Sequence, residues 1–356
     1  MKIGLIGGPQ AGVSTLFEAL TGGQSADAQR RSQMRIGNAK VPDERLAALA
    51  RIYSPRKVVP AEVTYSELPK PNKSDELFSG DALGAIQKMD ALALVVRAFN
   101  TGLSLADGAL KELEQRVFDM RFQDIALLER RMERIKAESK SLGAGQRGAV
   151  ERTLGLLQGI QERLEEGVSA RNQEWDQSRE AAVGDTFLVS RIPLLVILNI
   201  GEDDLPEAAA IEERARAALG EAGSGAVAIC ADLEYELGTM EPDEEAEMRR
   251  EMGVGESALA RLIALSYSVL GLISFLTAGE DEVRAWPIAG GTPAVEAARA
   301  IHSDIARGFV RAEVVGFEQF MELGSMAEAR KRGLLRQEGK TYPIRDGDIV
   351  NYLFSV

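Results

Sequence analysis

The stretch that decides the fold is "GLIGGPQAGVSTLFEALTG", residues 4–22. Residues 2–7, which overlap the start of this stretch, form a short apolar run that ends in glycine, and such a run is typical of a buried strand. Residues 14–21 then carry apolar side chains at helical spacing. A glycine-rich turn between a strand and a helix is the setting of a phosphate-binding loop, G-x-x-x-x-G-K-[ST]. The sequence therefore predicts such a loop near the start of the chain.

This loop departs from its motif at one position, because Val13 stands where the motif has lysine. Backbone N–H groups and a helix N-terminus can hold phosphate without a side chain. A charge-assisted contact contributes about 1.5–3 kcal/mol, so the missing ammonium group weakens triphosphate binding by roughly tenfold to a hundredfold. The predicted phosphate-binding residues are Gly7, Pro9, Gly12, Val13, Ser14 and Thr15.

Further apolar runs predict the rest of an α/β domain. Residues 91–99, 192–200 and 226–230 are rich in Val, Ile, Leu and Ala, which indicates central parallel strands. Helical patterns lie between them, so we predict a doubly wound sheet. The predicted domain comprises residues 1–118 and 177–277.

A charged helical segment, residues 119–176, interrupts this domain. It predicts an antiparallel helical hairpin, because two apolar stripes flank the glycines of "LGAGQRG" (142–148), which break the helix. A structural arm and an arm that contacts a partner are both open interpretations. The stripes are Phe122, Ile125, Met132 and Ile135, and Val150, Leu154, Leu157 and Leu164.

The last segment, residues 278–356, has a different character. Strand patterns such as "EVRAWPI" and "IVNYLFSV" flank a helix that Thr292 caps, with Pro293 in its first turn. One helix on a small mixed sheet predicts a β-grasp module of about 75 residues.

Composition excludes several classes of protein. The 356 residues are 45% hydrophobic and 27% charged, as in globular proteins of two or three domains. No apolar run reaches the roughly 18 residues of a membrane span, and we expect neither a signal peptide nor a membrane partner. Cys230 and His302 are the only residues of their types, which excludes an intrachain disulfide and multi-histidine metal sites. We therefore expect a cytoplasmic protein.

Charge is distributed unevenly along the chain. The formal net charge is −13, and residues 202–256 carry all of it on balance. A basic coat over the whole surface is therefore absent, and we expect no sequence-specific DNA recognition.

Over nearly its whole length the chain resembles the YchF subfamily of Obg-related P-loop GTPases and ATPases. Besides residues 4–21, the matching stretches include "VPDERLAALARI" (41–52), "VILNIGED" (196–203) and "AARAIHSDIARGF" (297–309). The resemblance implies an α/β fold with a P-loop NTPase-type parallel sheet, an inserted helical arm and a C-terminal TGS domain. It also implies a cytoplasmic location, association with the ribosome, RNA or a translation-related protein, and ATP or GTP with Mg²⁺ as the ligand, with ATP preferred.

The family's phosphate-sensing residues are altered here. The resemblance assigns Mg²⁺ to Ser14 and to the carboxylate of a D-x-x-G motif, for which this chain has Glu67 and then Lys70 in place of glycine. The family's switch threonine should fall within residues 27–37, where Ser32 is the only weak substitute. These changes together with Val13 predict that hydrolysis and the switch it drives are relaxed.

For the base, the resemblance points to an adenine-type N-x-x-E motif that begins at Asn199, at the end of a buried strand. A second loop, residues 229–234, is similar to the family's loop that closes over the base, and we expect its cysteine to be a small buried residue. The base-binding residues implied are Asn199, Ile200, Glu202, Cys230 and Ala231.

In the C-terminal segment, His302 matches the family's His-Ser/Thr-Asp, although a lone histidine on a helix is usually structural. The best basic patch of the chain also lies there, and it is either a contact for RNA or the ribosome or a solvated surface. Its members are Arg330, Lys331, Arg332, Arg336 and Lys340.

Three functional hypotheses follow. The first is a YchF-like protein that binds an adenine nucleotide weakly, with impaired or absent hydrolysis. The second is a nucleotide-free scaffold that binds RNA, ribosome or protein through the arm and the TGS domain. The third is a working ATPase in which a lysine from elsewhere, such as Lys70 or Lys73, reaches the phosphates.

Overall fold

The computed structural model describes residues 1–23, 34–69, 77–78, 80–99, 105–140, 144–220 and 224–355. Within them the strands are β1 (Lys2–Gly7), β2 (Arg35–Lys40), β3 (Lys57–Val59), β4 (Glu62–Glu67), β5 (Ala91–Arg97), β6 (Leu194–Asn199), β7 (Ser224–Ile229), β8 (Leu272–Ala278), β9 (Glu282–Ala289), β10 (Phe309–Gly316), β11 (Arg336–Glu338) and β12 (Asp348–Phe354).

The helices within the same residues are α1 (Val13–Thr21), α2 (Glu44–Tyr53), α3 (Gly80–Ile86), α4 (Leu105–Ser139), α5 (Ala144–Glu165), α6 (Gln177–Val183), α7 (Ala208–Leu219), α8 (Ala231–Leu237), α9 (Pro242–Glu251), α10 (Ala258–Val269), α11 (Ala294–Ile301), α12 (Ser303–Arg307), α13 (Phe317–Leu323) and α14 (Met326–Lys331). None of the helices in the described part of the chain has an apolar stretch long enough to span a bilayer.

The chain divides into two compact units. The first comprises Met1–Gly37 and Thr64–Arg261, and the second comprises Asn38–Val63 and Leu262–Val356. These bounds differ from the predicted domain bounds at 118, 176 and 277. The predicted arm lies within the first unit, and the second unit takes in a segment from the N-terminal part of the chain.

The first sheet has the strand order β2-β4-β1-β5-β6-β7. Strands β4, β1, β5, β6 and β7 pair in parallel, as predicted for a doubly wound sheet. Every residue of β6 is buried, and so is nearly all of β5, because helices cover both faces of such a sheet. Parallel pairing also brings the carboxyl ends of β1, β4, β5 and β6 to one edge, where α/β proteins bind their ligands. The predicted α/β fold is confirmed.

Helices α4 and α5 form the predicted hairpin, with a core around Leu128, Leu157 and Ile160. The hairpin begins at Leu105, earlier than predicted. Residues 144–148 are already helical, so the glycines at 145 and 148 do not break the helix. The break falls between α4 and α5, before Ala144.

The predicted apolar stripe is wrong at Phe122. Its side chain is 63% exposed and stacks on Phe118, which is 51% exposed, with 6.1 Å between ring centroids. Ile125, Met132 and Ile135 do pack against the hairpin core, as predicted. The middle of α4 therefore presents an aromatic pair to solvent.

Asp124 fastens α4 to the segment that leads into β6. Its carboxylate accepts hydrogen bonds from the backbone N–H groups of Val189 (2.6 Å) and Ser190 (2.8 Å). Burial raises the pKa of Asp124 to about 6, although these bonds and the charge of Arg171 favour the ionised form. The contact fixes the start of a central strand by a side chain from the arm.

In the second unit, the sheet order is β11-β10-β12-β8-β9-β3. Strands β8 and β12 pair in parallel and the flanking pairs β10–β12 and β8–β9 are antiparallel, which agrees with a mixed β-grasp sheet. Helix α11 covers it through Ala294, Ala297 and Ala298. Its first C-terminal strand, β8, begins at Leu272, before the predicted boundary, and β3 adds a strand from much earlier in the chain.

We expect Asp124→Ala to lower the free energy of unfolding by about 2–6 kcal/mol, because it leaves two buried N–H groups without acceptors at about 1–3 kcal/mol each. Urea denaturation measures the change. Glu129→Ala, at an exposed position of the same helix, is the matched control and should stay within about 0.5 kcal/mol of the unsubstituted chain. Equal effects of the two substitutions would show that the Asp124 contact contributes nothing.

Candidate functional site

The phosphate-binding loop closes a cavity at the carboxyl end of β1. Gly12 has a φ of 89° and directly precedes α1, whose first helical hydrogen bond joins Leu16 N–H to the Gly12 carbonyl at 2.9 Å. The amides of residues 13–15 precede that bond, so the helix supplies no acceptor for them. The cavity of about 300 Å³ is lined by residues 5–15 together with Leu68 and Pro69. Amides without helical acceptors are what the predicted phosphate site requires.

Val13 is part of the packing beneath this loop. The side chain is 9% exposed, and a Cβ atom on Gly7 would lie 2.8 Å from Val13 Cγ2. Gly7 therefore has to be glycine, because the Val95 carbonyl oxygen, at 2.7 Å, and the valine methyl group occupy the space beside it. The position that the motif gives to an ammonium group is apolar here.

Arginines do approach the loop from another side, but acidic groups accompany them. A Cβ atom on Gly8 would lie 3.4 Å from both Arg116 Nη2 and Glu112 Oε1. Arg116 also donates to Asp119 at 3.2 Å. Burial raises the pKa of Glu112, against the charges of Arg116 and Arg97. Since Arg116 lies between two carboxyl groups, it does not replace the charge of the missing lysine.

Four side chains form a hydrogen-bonded chain beside the loop. Ser14 Oγ donates to Glu67 Oε1 at 2.6 Å, and Arg35 Nε donates to Glu67 Oε2. Arg35 Nη1 continues the chain to Glu18 Oε1 at 3.0 Å, and its guanidinium lies over the ring of Phe17. Burial by itself lowers the pKa of Arg35, but the bonds to Glu67 and Glu18 outweigh it, so the pKa is raised.

The two residues that the sequence assigned to Mg²⁺ are hydrogen-bonded to each other. Mg²⁺ needs oxygen ligands at about 2.0–2.1 Å in near-octahedral geometry. Ser14 Oγ donates its proton to Glu67 Oε1, and Arg35 Nε donates to Glu67 Oε2. These oxygens keep lone pairs, so both side chains retain the chemistry of metal ligands. No group of three or more His, Cys, Asp or Glu side chains suited to a metal was found among the described residues, and the Mg²⁺ assignment stays a prediction.

Asn199 braces the phosphate loop against the second predicted base loop. Its Nδ2 donates to the Ala11 carbonyl at 2.9 Å, and its Oδ1 accepts from the Ala231 N–H at 3.1 Å. A Cβ atom on Gly12 would lie 2.1 Å from Asn199 Nδ2. Both ends of the amide are thus committed to backbone groups, and Asn199 is a structural link where the sequence predicted a base contact.

Most other predicted base-binding residues are buried. Ile200, Cys230 and Ala231 are at most 5% exposed. Burial raises the pKa of the Cys230 thiol, which agrees with the expected inert role. Glu202 is exposed, and it lines a surface groove of about 660 Å³ together with Cys230. The base contacts of this set stay predictions.

Three predicted residues, Ser32, Lys70 and Lys73, lie outside the described residues. The hypothesis that one of these lysines reaches the phosphates stays a prediction.

In the second unit, the predicted basic patch is largely neutralised by acidic neighbours. Arg330 donates to Glu313 at 2.6 Å, and Arg336 donates to Asp348 at 3.2 Å. Glu328 lies 3.7 Å from Lys331 and 3.1 Å from Arg332, whereas Lys340 is exposed. The free positive charge is therefore smaller than the sequence indicates.

His302 caps a short helix. Its Nδ1 accepts a hydrogen bond from the Asp304 N–H at 3.2 Å, directly before α12. This contact gives the histidine the structural role that is usual for a lone histidine.

Sequence reasoning missed Arg35. The residue lies inside the segment searched for a switch threonine, but nothing local marks it as a partner of Glu67. The two meet because β2 is the neighbour of β4 in the sheet. A strand-end arginine next to a strand-end glutamate can be recognised only once the strand order is known.

We expect Asn199→Ala to lower the free energy of unfolding by about 1–3 kcal/mol, because it leaves the Ala11 carbonyl and the Ala231 N–H without partners in a buried site. Asn38→Ala is the control, since Asn38 makes an exposed hydrogen bond to Glu62. Thermal or urea denaturation of both variants measures the difference. A change no larger than that of the control would mean that the brace does not stabilise the loops.

Comparison with known proteins gives consistent similarities. The family model YchF-GTPase_C, described as "Protein of unknown function (DUF933)", matches residues 272–355. The ribosome-binding ATPase YchF of Bacillus subtilis (strain 168) is 34% identical over 100% of this chain and 100% of the relative. The ribosome-binding ATPase YchF of Haemophilus ducreyi is 32% identical over 100% of this chain and 99% of the relative.

The fold has a counterpart among solved structures. The Schizosaccharomyces pombe YchF GTPase superposes with a TM-score of 0.80 at 24% sequence identity, over 99% of this chain and 97% of that one. Because two relatives exceed 30% identity along the full length, and the parallel sheet carries its phosphate loop at the expected edge, the chain belongs to the YchF family.

Proposed function

We propose that this chain is a ribosome-associated protein of the cytoplasm that binds an adenine nucleotide weakly and does not hydrolyse it efficiently. The open amide cradle at the phosphate loop carries the nucleotide part of the proposal. Its cavity of about 300 Å³ is large enough for the phosphate groups of a nucleotide but small for the whole molecule. The base therefore extends towards exposed surface such as that near Glu202.

The charge balance of the loop supports weak binding. The partial charges of the backbone amides come with the fold and do not depend on the side chain at position 13. The charge of the motif's lysine does, and the valine here has no charge. A nucleoside triphosphate carries more negative charge than a diphosphate, so its binding free energy is weakened more by the missing positive charge. Efficient hydrolysis also needs charge stabilisation at the transferred phosphoryl group, and the described side chains nearest Ser14 form a closed network with Glu67.

Association with the ribosome rests on the relatives, two of which are named ribosome-binding ATPases. The preference for ATP over GTP rests on the family resemblance at residues 199–202. Both remain proposals for this chain.

The affinity for nucleotide tests the main proposal. Isothermal titration with ADP, ATP and GTP should give the strongest binding for an adenine nucleotide. Val13→Lys should tighten ATP binding by roughly tenfold to a hundredfold, because a charge-assisted contact contributes about 1.5–3 kcal/mol. Absence of heat and of any thermal shift at millimolar nucleotide would refute the nucleotide part.

A matched pair of glycine substitutions controls this titration. Gly12→Ala places a Cβ atom against Asn199 and should abolish binding, whereas Gly22→Ala is at another positive-φ position (60°, against 89° for Gly12) that has open space. Both substitutions introduce backbone strain. Only a loss of nucleotide affinity that occurs with Gly12→Ala and not with Gly22→Ala is therefore due to the loop. Measurable ATP turnover that Gly12→Val abolishes would contradict the proposed loss of hydrolysis.

A second candidate function is a nucleotide-free scaffold, and the aromatic pair on α4 favours it. Phe118 and Phe122 are exposed and stacked, and aromatic residues are enriched in the centres of protein interfaces. Exposed aromatic side chains add no packing to the hairpin, so a purely structural arm does not explain them.

We expect the double substitution Phe118→Gln with Phe122→Gln to weaken co-sedimentation with ribosomes at least about fivefold, since a central interface aromatic commonly contributes more than about 1 kcal/mol. Phe354→Gln removes an exposed phenylalanine of β12 and is the control. Unchanged sedimentation of the double variant would exclude the aromatic pair as a ribosome contact.

A further inference from the structure

We propose that the β7 groove, the surface groove of about 660 Å³ that Glu202 and Cys230 line, docks a short basic peptide segment of a partner protein. All residues that line this groove belong to the first unit. The cavity at the phosphate loop shares none of them. The inference therefore goes beyond the proposed nucleotide site and does not depend on it.

Apolar side chains form the floor of the β7 groove. Met252 is 39% exposed, and Met248, one helical turn earlier, is 36% exposed. Helix α9, which leads to Met252, buries none of its own residues. Methionine side chains are flexible and suit surfaces that bind another chain. The other apolar members of the floor include Leu205, Pro206, Leu233 and Val254.

Three acidic side chains at the rim carry charge that the chain leaves unbalanced. Glu202, Asp203 and Glu256 are exposed and line the β7 groove. None of the three forms an ion pair with another side chain in the part of the chain that the structure describes. They belong to residues 202–256, which on balance carry the whole formal net charge of −13. The rim therefore attracts a positively charged partner and repels the phosphates of a nucleic acid.

The two arginines of the β7 groove do not cancel this charge, because each is already paired. Arg249 Nη2 donates to Glu234 at 2.7 Å, and Arg249 Nε donates to Glu245 at 2.9 Å. Arg261 Nη2 donates to Glu212 at 3.0 Å. Glu234 and Glu212 are each only 5% exposed. The acidic rim thus determines the charge that a partner meets.

The partner makes contact through its side chains and not by adding a strand. β7 is the last strand in the order of the first sheet, and such an edge offers backbone groups for pairing. At Ala228 these groups are already bonded, since the N–H donates to Glu212 at 2.9 Å and the carbonyl accepts from Arg261 at 3.4 Å. A strand added at this point would have to break both bonds. The arrangement favours an apolar anchor residue flanked by lysine or arginine.

Fluorescence anisotropy tests this proposal with a labelled peptide of repeated Lys-Lys-Leu units. Replacing leucine by serine in the peptide should weaken binding at least about tenfold, because a buried apolar side chain is removed from the floor. Replacing lysine by glutamate should abolish binding, because the rim repels the peptide. Affinity for the Lys-Lys-Leu peptide should fall as the salt concentration rises, since salt screens the contacts at the rim.

Matched variants place the peptide in the β7 groove. Met252→Gln should weaken binding of the Lys-Lys-Leu peptide at least about fivefold, because it removes an apolar contact of the floor. Met321→Gln is its control, since Met321 is 37% exposed and does not line the groove. Glu256→Gln should weaken binding about two- to fivefold and reduce its salt dependence. Glu322→Gln, at an exposed position of α13, should leave both unchanged.

Several results would overturn the inference. Equal affinity for the leucine and serine peptides is one, and it is measured on the unsubstituted chain, so it decides the question even if a variant does not fold. Equal effects of Met252→Gln and Met321→Gln are another. Labelled oligouridine that binds to the unsubstituted chain and not to Met252→Gln would assign the groove to RNA. Loss of ADP affinity in Met252→Gln would assign it to the base of a nucleotide.

Discussion

The side-chain amide of Asn199 ties two loops together at the carboxyl edge of the first sheet, and the geometry of the candidate site depends on it. Its two ends bind the Ala11 carbonyl and the Ala231 N–H, so the phosphate loop and the loop after β7 hold a fixed separation. Gly12 has to be glycine both because of its positive φ and because the amide fills the space of a Cβ atom. Without the brace, the first turn of α1 would lose its position relative to β6.

The site combines a preserved backbone with altered charges, and the two have different physical origins. Amides of the first turn of α1 point out of the helix because of its hydrogen-bonding pattern, so any sequence that forms this turn provides them. Side-chain charges depend on single residues. Val13 leaves the loop without the cation of its motif, and the nearby Arg35 is paired with Glu67 and Glu18. The result is a loop whose shape suits phosphate and whose charges form a closed network.

Local patterns predicted the secondary structure near the site well. The strand at residues 2–7 and the parallel strands β5, β6 and β7 follow from runs of buried aliphatic residues, which only a doubly covered sheet accommodates. Patterns failed where a side chain has two plausible environments. Phe122 has the spacing of a core residue, yet its side chain faces solvent beside Phe118. Periodicity shows on which face of a helix a residue lies, but it does not show whether another element packs against that face.

The sequence by itself determined the α/β class, the phosphate loop, the absence of its lysine and the membership of the family, because each of these depends on residues close together in the chain. Only the tertiary structure decided the roles of Asn199, Glu67 and Arg35. Their partners lie between 17 and 188 positions away along the chain. Contacts at that separation depend on the order of strands in the sheet, and no local spacing of residues encodes that order.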